Sequence, residues 1–153
     1  MNADFPPGYQ LRIGTGKDRA LLVKFMTLTY QELFPSQSSF NHLTDTVKKY
    51  FSVETPLWWV ENLSQQPVAC LWMGTAIDQA SGKSYGYIFL LMVLKQYRRQ
   101  GIGTRLIATA ENWAKARGIN RIGLQVFSHN QSALKLYHQL GFQTQSLSMI
   151  KYL

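Results

Sequence analysis

YGYIFLLMVLKQYRRQGIGTRLIATAENWAKAR, residues 85–117, is the stretch whose reading decides the fold. Residues 87–94 are a continuous apolar run, residues 95–103 are basic with two glycines, and from Ile102 onward apolar residues recur at helical spacing. A strand therefore passes through a short turn into a helix N-terminus, where unpaired backbone N–H groups and the positive end of the helix dipole favour an anion. In Arg98-Arg99-Gln100-Gly101-Ile102-Gly103 the two glycines lack Cβ, so the backbone can come close to such a ligand. The spacing predicts a helix over residues 102–116, with Ile102, Leu106, Ile107, Ala110, Trp113 and Ala114 as its buried stripe and Gly118 as its stop.

Downstream, residues 121–127 read as a strand, and strand, helix and strand together make a parallel, right-handed βαβ unit. Ser128-His129-Asn130 then caps a helix over residues 131–140, Gly141 ends it, and residues 142–153 supply a last strand or hairpin. Upstream, residues 57–61 and 68–76 form a hairpin about a turn at 62–66, and a polar turn through Asp78, Ser81 and Gly82 leads into residue 85, so these strands are antiparallel. Residues 9–13 read as an edge strand. Thr15-Gly16-Lys17-Asp18 caps a helix carrying Leu21, Leu22, Phe25 and Met26, and Val47, Tyr50 and Phe51 share a face of a second helix over 44–51. The expected order is β-α-α-β-β-β-α-β-α-β, an α/β (α+β) chain forming a single domain over residues 1–153, with residues 1–7 as a loose tail.

A chain of 153 residues, 46% of them hydrophobic, suffices for one core and not for two. The N-terminus lacks a basic segment followed by an apolar one, and no apolar run reaches the roughly 18 residues of a membrane span, so a cytoplasmic protein is expected. Cys70 is the single cysteine, which excludes an internal disulfide and a cysteine-based zinc cluster; in the apolar run 67–73 it reads as a buried hydrophobe. His42, His129 and His138 have no ligand spacing, so no metal is expected, and no serine sits in a nucleophile elbow. The formal charge is +8, and between Lys95 and Arg121 seven basic residues face the one acid Glu111. A polyanionic cofactor, nucleic acid and a solvated basic face all fit that field.

Two nucleotide-binding patterns fail. Gly14-Thr15-Gly16-Lys17 lacks the spacing and the hydroxyl residue of a P-loop, and a Rossmann turn would need glycine at Leu106 and an acid about 20 residues on. The hexapeptide at 98–103 instead resembles the Arg/Gln-x-x-Gly-x-Gly/Ala signature of the GCN5-related N-acetyltransferase (GNAT) superfamily. A second block, Asn130-Gln-Ser-Ala133-Leu-Lys-Leu136-Tyr137-His-Gln-Leu140-Gly141-Phe142, resembles that superfamily's Asn-x-x-Ala-x-x-Leu-Tyr-x-x-x-Gly-Phe segment. The resemblance covers residues 85–145.

This resemblance implies a mixed, mostly antiparallel sheet, splayed and flanked by helices on both sides, and transfer of an acetyl group from acetyl-CoA to a primary amine by direct attack. Carried over by position, Leu91, Met92 and Val93 would meet the pantetheine arm through backbone groups. Arg98, Arg99, Gln100, Gly101, Ile102, Gly103 and Thr104 would cradle the pyrophosphate, Asn130 would contact the cofactor arm, and Tyr137 would protonate the departing thiolate. From the residues alone, Asn130 is equally an N-cap and Tyr137 a core aromatic, two turns apart on one helix face. A phenol of pKa about 10 protonates a thiolate of pKa about 8.5 at a cost of roughly 2 kcal/mol.

No general base is evident. Where superfamily members acting on protein N-termini often carry glutamate, this chain has Gln125, and residues 85–94 contain no acid. Glu54 and Glu61 stand in reserve, with a water chain ordered by Tyr85, Tyr87 or Gln125 as the other route. A lysine-type amine costs roughly 4.6 kcal/mol to neutralise at pH 7, an α-amine about 1 kcal/mol. Trp58 and Trp59 point to opposite faces of their strand, one into the core and the other toward an acceptor pocket with Phe34, Phe40 or Tyr50. In residues 34–55 the only acids are Asp45 and Glu54, against His42, Lys48 and Lys49. A polycation would need several carboxylates, so the expected partner is a small amine or a peptide N-terminus with one reactive amine and an apolar or neutral body. Membrane and nucleic acid are not expected partners, a homodimer is left open, and an acyl-CoA sensor without turnover is the alternative.

Overall fold

A computed structural model describes residues 5–153. Five strands form one open sheet in chain order: β1 (Gln10–Ile13), β2 (Leu57–Glu61), β3 (Pro67–Ile77), β4 (Ser84–Val93) and β5 (Ile122–Leu124). The first three pairings are antiparallel and β4–β5 is parallel, as the strand-helix-strand pattern requires. Helices α1 (Arg19–Leu33) and α2 (His42–Tyr50) cover one face; α3 (Ile102–Ala116) and α4 (Gln131–Gln139) cover the other. With both faces covered, the inner strands are apolar on both sides, and every residue of β2 is buried. Leu57, Trp59, Cys70 and Trp72 pack against α1 and α2, while Trp58, Val60, Leu71 and Met73 pack toward Ile102, Leu106 and Ile107 of α3.

The helix predicted over residues 102–116 has those bounds, and its stop, Gly118, takes φ 70°. At the N-terminal side Thr15 and Asp18 close a capping box around a 3-10 turn, Gly16–Asp18, ahead of α1. Of the tail expected at residues 1–7, residues 1–4 lie outside the described residues, and Phe5 packs against the α3-side core. No helix among the described residues is long and apolar enough to cross a membrane.

One irregularity positions everything that follows. Trp72 pairs with Leu90 and Met73 with Ile88, so Phe89 is an extra residue on β4. Phe89 and Leu90 consequently both face α1 and α2. The bulge re-aims the strand, and β5 stays paired with β4 only at Gly86, Tyr87 and Ile88. Past Ile88 the two strands part. The strand expected over residues 121–127 is therefore only three residues long, because from Gln125 onward it has lost its partner.

The C-terminal strand or hairpin expected over residues 142–153 does not form. Phe142 N–H donates to Tyr137 C=O at 2.9 Å, and beyond it residues 143–153 make no hydrogen bond within the described residues. A strand exists through its partner's backbone, and this segment has none among the described residues.

Candidate active site

Between β4 and α3 the chain makes a 3-10 turn, Lys95–Tyr97, then an extended residue at Arg98 and left-handed backbone at Arg99 (φ 64°) and Gly101 (φ 83°). Left-handed conformation costs a residue other than glycine roughly 1–2 kcal/mol, a cost the turn carries at Arg99. A Cβ on Gly101 would meet nothing within 4 Å, so glycine stands there for its backbone angle and not for space. Among the described residues, no backbone N–H from Arg99 to Thr104 donates to an acceptor in the chain; the first bond of the helix is Arg105 N–H to Gly101 C=O at 3.1 Å. Consecutive free N–H groups on alternating left-handed backbone, at the positive end of α3, fit a pyrophosphate. A Cβ on Gly103 would lie 3.6 Å from Leu136 Cδ2 of α4 and 3.9 Å from Val93 Cγ2, so the loop, α4 and the end of β4 converge there.

Two side chains outside the loop fix it. Glu32, near the end of α1, accepts from Arg98 Nη1 and Nη2 at 2.7 and 2.8 Å, while Arg98 Nε donates to Val93 C=O at 2.8 Å. Tyr9 donates its hydroxyl to Gln100 Oε1 at 3.0 Å and sets its ring edge-on to Tyr97. The first arginine of the loop thus points at α1, and its guanidinium joins β4 to that helix. The guanidinium holds the Glu32 carboxyl below the usual carboxylate range, and Arg98 is raised in return. Sequence reasoning missed both residues, since nothing local marks a glutamate 66 positions away.

The sign of the Glu32 shift sets a prediction. A depressed folded-state pKa contributes stability above the unfolded carboxylate value and loses it as pH falls through the folded value. Both side chains are about one-third exposed, so Glu32→Gln should cost no more than about 1 kcal/mol at pH 7. Urea unfolding of the two proteins should converge once the pH drops below the carboxylate range; a difference that grows on acidification would contradict the ion pair.

At the open end of β4, Leu94 N–H donates to Val68 C=O at 2.9 Å. In the antiparallel register this turns the N–H and C=O groups of Leu91 and Val93 away from β3 and into the gap that β5 leaves. Arg98 takes the Val93 carbonyl; the other groups have no strand partner, because β5 is unpaired with β4 past Ile88. Met92 is buried on the α1 face.

Asn130 caps α4, its Oδ1 accepting from Ala133 N–H at 3.4 Å, so the local reading of this residue holds and its amide NH₂ has no acceptor among the described residues. Tyr137 packs edge-on to Phe142 at 5.5 Å, and its hydroxyl has no hydrogen-bond partner among the described residues. Burial pushes the phenol up to about 12. Proton transfer to a thiolate of about 8.5 then costs about 5 kcal/mol, more than an ordinary tyrosine would require.

The acceptor side differs from expectation. Trp58 and Trp59 do face opposite ways, but they are 7% and 0% exposed, so neither lines a pocket: helices cover both faces of β2. Phe40 packs against the α1-side core. Exposed aromatic surface lies instead where α1 ends and β5 continues, with Phe34 set 4.9 Å from Phe127 and 5.3 Å from His129, and His129 Nε2 3.1 Å from Leu33 C=O. Tyr85, Tyr87 and Phe89 make an edge-to-face row along β4 that Tyr50 extends. Burial, then Tyr85 and Tyr30, raise the Tyr87 phenol. Glu61 is buried in an ion pair with Arg12 at 2.8 Å, two strands from the gap, and Glu54 is exposed after α2. Gln125 is exposed. Cys70 is fully buried, which drives its thiol up and removes it as a nucleophile. Among the described residues no three His, Cys, Asp or Glu side chains gather as a metal site.

Comparison with known proteins bears on this geometry. The chain is 34% identical over 104 residues to an uncharacterised N-acetyltransferase of Bacillus subtilis (strain 168), an alignment spanning 66% of this chain and 65% of that one. It is 30% identical over 111 residues to N-acetyltransferase 8 of Mus musculus, covering 72% of this chain and 49% of the relative. The matched region thus spans from about half to just under two-thirds of these relatives. A crystal structure of an acetyltransferase with acetyl-CoA from Clostridium acetobutylicum shares the fold at TM-score 0.76 and 20% identity, over 94% of this chain and 96% of that chain. Residues 22–142 match the acetyltransferase (GNAT) family model, and the chain belongs to that family.

Proposed function

We propose that this protein transfers the acetyl group of acetyl-CoA to a primary amine by direct attack, with residues 1–153 acting as one acetyltransferase domain. The observation that carries the proposal is the run of unpaired N–H groups from Arg99 to Thr104 beside the open edge of β4. The loop from Arg98 to Thr104 would hold the pyrophosphate. Leu91 and Val93 would bind the pantetheine amides through their backbone, Met92 between them being turned toward β3 and the α1-side core, and the amide of Asn130 would reach the same arm. Tyr137 is the acid for the leaving thiolate. Acetyl-CoA supplies an activated thioester; the chain orients it and delivers the proton.

For the acceptor, the aromatic surface of Phe34, Phe127, Tyr87 and Tyr50 favours an amine with one reactive nitrogen and an apolar or neutral body: an amino acid, a peptide N-terminus or an arylalkylamine. Glu32, which is tied to the end of β4 through Arg98, is occupied by that guanidinium. A group that is already ion-paired and depressed is a poor base at neutral pH, so the amine must arrive neutral. Rate should therefore rise with pH through the acceptor's own pKa. Thiol release measured over a panel of amines, with a pH profile on the best acceptor, tests this. Turnover of an arylalkylamine or peptide above that of spermidine or kanamycin is the expected result; the reverse order, at neutral pH, would overturn the acceptor assignment.

The shortage of carboxylates also favours a second reading, an acyl-CoA-binding sensor. Saturable acetyl-CoA binding with no thiol release from any amine would select it.

A further inference from the structure

We infer that the last turn of α1 is a strut across the opening between β4 and β5, and that His129 is the positioning residue that holds the strut at the acceptor side. Glu32 and Leu33 are consecutive, yet they are tied to different elements. Glu32 accepts from Arg98 Nη1 and Nη2 at 2.7 and 2.8 Å, in the turn that follows β4, while Leu33 C=O lies 3.1 Å from His129 Nε2, in the turn that follows β5. β4 and β5 part past Ile88, so the two ties reach α1 from the two banks of the opening. A carbonyl can only accept, so the second tie puts a proton on Nε2 of His129. Leu33 C=O is among the last four carbonyls that a helix leaves unpaired, and the last turn of α1 has no basic side chain of its own. A residue 96 positions away supplies the donor.

His129 is itself held. Asn130 N–H donates to Phe127 C=O at 2.9 Å, which closes the turn that presents the imidazole, and Gln131 N–H donates to His129 C=O at 3.0 Å as α4 begins. Four rings surround the bond. Phe34 lies 4.9 Å from Phe127 and 5.3 Å from His129, Phe127 lies 5.9 Å from His129, and Tyr30 meets Phe127 edge-on at 6.3 Å. Tyr30 and Phe34 come from the end of α1, Phe127 and His129 from the segment after β5, so the width of this aromatic surface is set by how closely the two are drawn together. Ring contacts tolerate sliding, whereas a hydrogen bond fixes a length. The inference rests on the acetyl-transfer reading and deepens it: where an amine enters over these rings, His129 sets the entrance and Glu32 seats the cofactor loop, so one helix end governs the two substrates through separate ties.

Thiol release by the full chain with acetyl-CoA and 2-phenylethylamine, or the best amine of the panel where that is a better acceptor, tests it alongside hydrogen exchange. His129→Leu keeps apolar bulk and loses the donor. It should raise KM for the amine about threefold to tenfold, with kcat and KM for acetyl-CoA within about twofold of the parent. The amides of Phe34 and Gln37, bonded to Tyr30 C=O and Phe34 C=O, should exchange at least about threefold faster. His129→Gln places an amide N–H close to where Nε2 stood and should return KM for the amine to within about twofold. Glu32→Gln should act on the other tie, raising KM for acetyl-CoA and sparing the amine. Parental exchange in His129→Leu, an unchanged KM for the amine, or an equal rise in both KM values would overturn the inference. Failure of the acetyl-transfer reading shows in a different place: the parent itself would release no thiol with any amine, which removes the entrance role of His129, while exchange in the variant still decides whether the strut exists.

Discussion

Replacing Tyr137 by Phe is expected to lower kcat by about 10²–10⁴-fold, with acetyl-CoA affinity unchanged within about twofold. The substitution removes one oxygen and leaves the ring that packs on Phe142, so the fold has no reason to change. What it removes is the Tyr137 hydroxyl, which shares a face of α4 with Asn130 two turns away. The phenol, pushed up to about 12, remains protonated across any practical assay range. An acid with a raised pKa is competent at every pH below that value and fails only above it. The pH profile should therefore climb with deprotonation of the amine and then stay level, with no descending limb below about pH 11.

The same elevation makes the proton transfer uphill by about 5 kcal/mol, which bears on whether Tyr137 can serve at all. A kcat of about 10 s⁻¹ corresponds to a barrier of about 16 kcal/mol, so the uphill step fits within it when it occurs late, as sulfur leaves. A descending limb near pH 9, or a Tyr137→Phe enzyme with full kcat, would assign the proton to another donor.

Parts of the fold were legible because their signals are local. The bounds of α3 follow from apolar spacing between Ile102 and Ala114 and from Gly118, signals carried within one stretch of chain. Opposite orientation of Trp58 and Trp59 was legible for the same reason; that both would be buried was not, because it depends on two helices contributed from distant parts of the chain. The length of β5 was illegible because a bulge on the neighbouring strand sets it, and Phe89 has no composition that distinguishes it from Tyr87. Residues 142–153 have the composition of a strand, yet strand formation depends on a partner edge, which no window of sequence contains. The turn into the start of α3 could be read from its two glycines. Its clamps, Glu32 on Arg98 and Tyr9 on Gln100, arise only when α1 and β1 are brought against it.

The second large effect concerns that loop: Gly101→Asp should weaken acetyl-CoA binding by at least about 100-fold in a protein that still folds. Most substitutions of a buried glycine confound binding with clash, but a Cβ here enters open space, and the expected folding cost is the left-handed backbone alone, roughly 1–2 kcal/mol. Asn pays the same conformational cost, fits the same volume and tolerates left-handed angles, while carrying no charge. The ratio between Gly101→Asp and Gly101→Asn therefore isolates electrostatics. A carboxylate about 5 Å from one phosphate charge, at an effective dielectric near 20, is repelled by about 3 kcal/mol, or about 200-fold in affinity, and a second phosphate adds to it. The new carboxylate also stands among the N–H groups from Ile102 to Thr104, which no acceptor among the described residues occupies, so it competes for the donors as well as repelling the ligand. Calorimetric titration with acetyl-CoA, alongside circular dichroism, should find the Asn variant within about tenfold of the parent and the Asp variant beyond measurement at ordinary concentrations. Equal binding by the Asp and Asn variants, both folded, would mean that no phosphate sits at this helix start and that the basic loop serves another anion or none.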